Sequence, residues 1–282
     1  MSMDLDQNIE DYDLVFLDLE TTGLDVVTGD AICEIGAFKI KTRQVVDKFH
    51  SLVNPQRPMP QEAYRVHKIP DQELKTAPNF EEIVDKLLVF LKGSVFCAYN
   101  VEFDMGFIDY SLKRINYSTL EVPALDILAM ARDALTLPRY NLEKVAKFLG
   151  IDCREGFHRA LGDASIAYQT FFKLIDVFKE KGLDKLNDYM SLYSYNNLIS
   201  RAKQNQKIAL LEEAISNNFK VSLKYFSGNR SVETEDILPL RIFPEGRSHY
   251  LLCQGSGENP FRIGLRRILD IDNISDKINK HR

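Results

Sequence analysis

The sequence predicts an α/β protein with a mixed sheet, followed by a smaller β-rich part. Three observations carry this. Runs of Val, Leu, Ile and Phe bounded by turn residues come first. Strand and helix periods then alternate. Beyond about residue 220 the helical period stops and short strands separated by turn residues take over.

The elements follow in order. Residues 12–20, YDLVFLDLE, read as a strand that TTG ends. Residues 31–40 and 45–53 read as two more strands, a meander with the first, and NPQRPMP (54–60) is a Pro-rich loop. Residues 78–92 have helical spacing, with Phe80, Ile83, Val84, Leu87, Leu88 and Leu91 on one face. SVFCAY (94–99) is a buried strand, and 101–114 a helix. Helices are expected over 124–135, over 141–150 with Gly150 closing the last turn, and over 159–182. Residues 183–203 read as a polar helical connector. Strands are expected at 221–226, about 232–242, 249–254 and 261–271.

Composition narrows the classes. A chain of 282 residues, 45% hydrophobic and 27% charged, suits one large domain or two smaller ones. No apolar run is long enough for a membrane helix. The acidic start, MSMDLDQNIEDYD, is unlike a signal peptide. Cys33, Cys97, Cys153 and Cys253 form no CxxC pair, which argues against structural zinc and fits a reduced, cytoplasmic setting. The net charge of -5 is uneven: residues 201–282 hold 14 Lys and Arg against 10 Asp and Glu, so the acid excess lies before them. The expected boundaries are 1–182, a helical linker at 183–203, and 204–282.

Asp18 and Glu20 sit inside the apolar run VFLDLETTGL. Positions i and i+2 of a strand share a face, about 7 Å apart at roughly 3.3 Å per residue. Two carboxylates there either hold a divalent cation through oxygen or form structural ion pairs. The second D-x-E, Asp71 and Glu73, follows Pro70 in a polar stretch and reads as a solvated helix start. Two further islands matter. In CAYNVEFDMGFID, Asp104 lies in a helix's first turn, as a site residue or as a partner of the helix dipole. In GFHRALGDA, His158 and Asp163 are about 140° apart if both are helical. If Gly156 and Phe157 are loop, His158 lies just before the helix and Asp163 on its inner face.

These islands, in this order, resemble the DEDDh family of 3′–5′ exonucleases. The first motif, D-x-E-T-T-G-L, is matched by Asp18, Glu20, Thr21, Thr22, Gly23 and Leu24. The second is matched by Asn100, Phe103, Asp104 and Phe107, with Tyr99 at the usual His. His158, Ala160, Asp163 and Ala164 match the third. VHKIPDQEL resembles a further loop of the family, with Lys68 at its Gly. The resemblance covers about residues 12–178 and implies a ribonuclease H-like fold. It implies two ions, Mg²⁺ or Mn²⁺, on Asp18, Glu20, Asp104 and Asp163, about 3.5–4 Å apart. His158 would be the base for the attacking water. Residues 21–24 and Asn100 would hold the terminal nucleotide, with Leu24 and His67 near the 3′ base; Phe107 either wedges there or packs the core. The implied partner is DNA or RNA with a free 3′ end, and no membrane.

With the V-x-L-x-Y strand ending at Tyr225, L-P-L-R at 238–241, His249-Tyr250-Leu251 and L-R-R-I at 265–268, the C-terminal segment resembles a WYL domain, a small SH3-like barrel thought to sense nucleic acids. His249, Tyr250 and Leu251 take the place of the naming tripeptide, so its Trp is missing. Tyr225 and Tyr250 are candidates for base stacking or barrel packing. Arg241, Arg247, Arg262, Arg266 and Arg267 are candidate phosphate contacts for a nucleotide or oligonucleotide ligand. A different reading of the whole chain is a non-catalytic binding or regulatory protein that uses the nuclease fold as a platform.

Overall fold

A computed structural model describes residues 4–153, 158–195, 198–246, 248–257 and 259–273. The chain packs as two compact units, Met1–Val177 and Phe178–Arg282.

In the first unit β1 (Leu14–Thr21), β2 (Ile32–Lys41) and β3 (Gln44–Leu52) form the expected antiparallel meander. Three helices follow: α1 (Gln61–His67), α2 (Asp71–Thr76) and α3 (Phe80–Leu91). Then come β4 (Val95–Ala98), α4 (Val101–Arg114), β5 (Ala124–Asp126), α5 (Ile127–Ala134), α6 (Leu142–Phe148) and α7 (Ala160–Lys179). The sheet order is β3-β2-β1-β4-β5, with β4 parallel to both neighbours. This is the expected α/β mixed sheet with flanking helices.

β1 is central, so Leu14, Val15, Phe16 and Leu17 form an unbroken apolar run and are all buried. Phe16 meets Phe171 of α7 edge-on at 5.1 Å, which fixes that helix over the middle of the sheet. The edge strand β3 is mostly exposed. Asn79 and Glu82 cap α3 reciprocally. Gly150 turns the chain beyond α6 with φ +70°. Asp71 starts α2 and pairs with Lys75 at 2.8 Å, so this second D-x-E faces water.

Three local expectations differ. Residues 124–126 are strand, because the chain adds one more parallel strand before α5 begins. Helix α7 stops at Lys179, and Gly182 turns the chain away with φ +84°. α1 falls in a segment with no helical expectation.

The second unit holds α8 (Leu186–Tyr193), α9 (Leu198–Asn217), β6 (Val221–Phe226), β7 (Val232–Glu245), β8 (Ser248–Gln254), β9 (Phe261–Gly264) and β10 (Ile268–Asn273). Its sheet is antiparallel in the order β10-β6-β7-β8-β9. Leu211 and Ala214 of α9 pack with Val221, Leu223, Ile237, Leu251, Ile263 and Ile268 to make its core. The stretch 261–271 is two strands, split by a 3₁₀ turn at Leu265–Arg267. Within 183–203, Leu186, Tyr189, Met190 and Tyr193 of α8 are buried. The four cysteines are free thiols. Among the described residues no helix is long and apolar enough to cross a membrane.

Candidate active site

The site forms where two parallel strands part. β1 pairs with β4 only through Leu14, Val15 and Phe16. Beyond Phe16 the chain after β4 turns into α4, with Asn100 at φ +75° making the corner. The carboxyl ends of parallel strands part here, the usual ligand position in open α/β sheets. Asp18 and Glu20 lie on that free end of β1.

Asp104, in the first turn of α4, is 3% exposed. After burial, its charge is the largest acting on Asp18, which puts it beside that carboxylate. Asp163 arrives from α7. Oxygens of Asp18, Glu20 and Asp163 all lie within 4.8 Å of one another. His158 is exposed just before α7 with φ +70°, and its backbone N–H donates to Asp163 Oδ2 at 3.1 Å. Gly156 and Phe157 lie outside the described residues.

Burial and mutual repulsion of the acids dominate the electrostatics. Burial, then the charges of Asp104, Asp163 and Glu20, push Asp18 well above the usual carboxylate range. Burial and the neighbouring Asp163 raise Glu20 to about 8. Burial also raises Asp104 and Asp163. Asp163 Oδ1 is buried without a hydrogen-bond partner. Buried like charges of this kind are costly unless a cation joins them. The donor set is oxygen only, which fits Mg²⁺ or Mn²⁺.

Hydrogen bonds brace loop residues 21–24. Thr21 Oγ1 donates to the Gly23 carbonyl at 2.5 Å, and Thr22 bonds Asp30 and Ala31. Asp30 in turn pairs with Arg57 at 3.0 Å. A Cβ on Gly23 would lie 2.1 Å from Asp30 Oδ2, so a side chain there would push Asp30 off its contacts with Thr22 and Arg57. Leu24 is 85% exposed at its tip.

Other expected contacts fall elsewhere. The His67 ring is buried; its Nδ1 accepts the Ile69 N–H at 3.0 Å and its Nε2 faces Cys33 Sγ at 3.8 Å. Both ring nitrogens are thus directed into the protein. Phe107 is buried too, its ring 4.8 Å from that of Phe103, which is the core-packing alternative. Asn100 is exposed at the start of α4. Tyr99, at the motif's His position, donates to the Tyr140 carbonyl at 2.5 Å. Lys68, at the motif's Gly position, keeps the left-handed conformation with φ +59°.

Beside this site, one buried acid escaped the sequence reading. Glu34 is 1% exposed and stands opposite Glu20 in the β1–β2 register. Arg159 grips it through Nε at 3.0 Å and Nη2 at 2.7 Å. The Ala160 N–H and His50 Nε2 also donate to it, at 3.0 and 2.8 Å. Burial alone would raise Glu34, but these donors hold it below the ordinary range. Its signal was the one that marked Asp18: an acid inside the apolar strand ICEIGAFKI.

In the second unit Tyr225 is buried and donates to Glu233 Oε2 at 3.0 Å, so it offers no free face to a base. Tyr250 stacks on Phe243 with ring centres 6.0 Å apart. Arg241 lies over Phe243, and Arg262 lies over Tyr250 and pairs with Glu245 at 2.6 Å. Arg267 lies over Phe226, and Arg266 is exposed. Arg247 lies outside the described residues.

The exonuclease family profile (RNase_T) matches residues 15–171, which include all four acids and His158. The chain belongs to the exonuclease family. It is 36% identical over 167 residues to DNA polymerase III subunit epsilon of Rickettsia conorii, covering 57% of this chain and 73% of that protein. It is 32% identical over 237 residues to the PolC-type DNA polymerase III of Thermotoga petrophila, covering 80% of this chain but 17% of that protein. The chain therefore spans only a small part of the PolC-type relatives. Among solved structures, E. coli Exonuclease I in complex with a dA16 oligonucleotide has a TM-score of 0.57 at 16% identity, covering 94% of this chain and 66% of that one. The nuclease domain of 3′hExo, a DEDDh family member bound to rAMP, has a TM-score of 0.54 at 15% identity, covering 66% and 98%. These two establish the exonuclease fold of the first unit.

Proposed function

We propose that the chain is a metal-dependent 3′–5′ exonuclease that releases nucleoside monophosphates from the 3′ end of DNA or RNA. The observation that carries this is the convergence of Asp18, Glu20 and Asp163, with Asp104 beside them and their carboxyls raised by burial and mutual repulsion. Two divalent ions on these four acids would supply a nucleophilic hydroxide and stabilise charge on the leaving oxygen. The rigid strand and helix ends hold the carboxylates in place before substrate arrives. His158, exposed just before α7, takes the proton of the attacking water. The braced turn 21–24 grips the terminal nucleotide, with Leu24 against its base and Asn100 on the other side of the site.

The catalytic domain is assigned to residues 1–182, in the cytoplasm. The region from 204 is read as an SH3-like, WYL-like module that adds sequence-independent phosphate contacts through Arg241, Arg262 and Arg266. The antiparallel sheet and the exposed Arg241, Arg262 and Arg266 support it.

The test uses oligonucleotides of DNA and RNA carrying a label at the 3′ or the 5′ end, with Mn²⁺ and then with EDTA. Early release of the 3′ label as mononucleotide, abolished by EDTA, is expected. Degradation that persists in EDTA, or none with any substrate, defeats the proposal and favours the non-catalytic platform.

A further inference from the structure

We propose that Glu34 is a positioning residue for the reaction: with Arg159 it fixes the first turn of α7, and with it His158 and Asp163, against β1. The proposal rests on the exonuclease reading above and adds to it a residue outside the acid set and the motif histidine.

Two residues of β2 mirror the two acids of β1. In the antiparallel register Gly36 stands opposite Asp18, and Glu34 opposite Glu20. Positions 34 and 36 share one face of β2. The first turn of α7 seats directly on that face. A Cβ at Gly36 would lie 2.3 Å from the Leu161 nitrogen and 2.4 Å from the Ala160 carbonyl carbon. Seating brings the helix close; it does not fix its rotation about the contact. Glu34 supplies that. Its Oε2 takes both the Ala160 N–H, a free donor at the helix start, and Arg159 Nε, while Oε1 takes Arg159 Nη2.

The fork leaves one orientation for residues 159 and 160. Residue 158 comes immediately before them, and its N–H is tied to Asp163 Oδ2. The base and the fourth acid are therefore held as one piece by a carboxylate that is itself saturated. His50 Nε2 holds the same carboxylate from β3, so Glu34 cannot swing toward a cation without breaking five hydrogen bonds. A small rotation of this turn would move two reacting groups at once. Misplacement by about 1 Å costs on the order of 100-fold in rate.

The test compares Glu34→Gln, Arg159→Gln and the double variant in the full chain. Kinetics are measured on a 5′-labelled oligonucleotide with Mn²⁺, well below each melting temperature. We expect kcat to fall about 10- to 100-fold in each single variant, with KM within about twofold. The double variant should be no worse than the worse single one, because the two groups act as a unit. Hydrogen exchange should quicken at residues 160–163 and stay unchanged in α3. A lowered melting temperature with kcat unchanged, or unchanged exchange in α7, overturns the proposal. If the parent chain shows no metal-dependent activity, the exonuclease reading fails and takes the catalytic role of Glu34 with it, while the exchange result still decides whether the clamp exists.

Discussion

The acid cluster of the first unit and the arginine face of the second treat charge in opposite ways. In the first, Asp18, Glu20, Asp104 and Asp163 are gathered with their pKa values raised, and Asp163 Oδ1 has no hydrogen-bond partner. In the second, Arg262 has Glu245 and Tyr250, Arg241 has Phe243, and Arg267 has Phe226. Charge that the fold leaves unmatched marks a place that a ligand must complete. Charge already matched marks a surface that works weakly or only holds the sheet together. Within the first unit Glu34 makes the same point, because its saturation separates it from the four acids beside it.

The comparison can be broken at graded strength. Asp18→Ala removes one of the four unmatched carboxylates, and we expect exonuclease activity to fall by at least about 10²–10³-fold. A variant that cleaves as fast as the parent ends the assignment. His158→Gln leaves the acids intact and removes the base; a loss of about 10²–10⁴-fold in kcat is expected. Gly36→Ala forces α7 off β2 and should lower stability by about 1–3 kcal/mol in a urea titration, with activity falling as well.

Stability against pH reads the unmatched charge directly. Glu20 has a folded pKa of about 8, above its ordinary value. The folded chain therefore holds a proton that the unfolded chain loses at about 4.3. The stabilisation from that proton is complete below the unfolded value and vanishes as pH rises through about 8. In EDTA the melting temperature should fall between pH 5 and about 8.5, and Mg²⁺ should cancel the fall. Equal slopes with and without metal would contradict the account. The smallest effect belongs to the second unit. Replacing Arg241, Arg262 and Arg266 with Gln should raise KM only a few-fold and reduce the single-strand salt slope by about 0.7 per arginine. Unchanged KM and slope would leave that face without a role in strand binding.

Much of the first unit was legible because its signals are local. The apolar runs of β1, β2 and β4 and the period of α3 and α4 follow directly from residue order. The D-x-E-T-T-G-L stretch announces itself because acids in a central strand need a reason. What stayed hidden depends on distant partners. Three residues of β5 are too few to show a period, and only β4 makes them a strand. Glu34 looked like one more residue of an apolar strand until Arg159, 125 positions away, closed on it. His67 carries a motif identity, yet the docking of its helix turns the ring into the core. α9 has charged and apolar residues spread around its circumference, so no stripe betrayed its continuation to Asn217.

Calorimetric titration of Mn²⁺ into the metal-free full chain, set beside the same titration of Asp163→Asn, tests the central claim most directly. The account expects saturable binding by the parent chain and a marked weakening in the variant, whose side chain keeps the shape but not the charge. Indistinguishable isotherms, or no binding by either, would contradict the idea that these buried acids are a cation site.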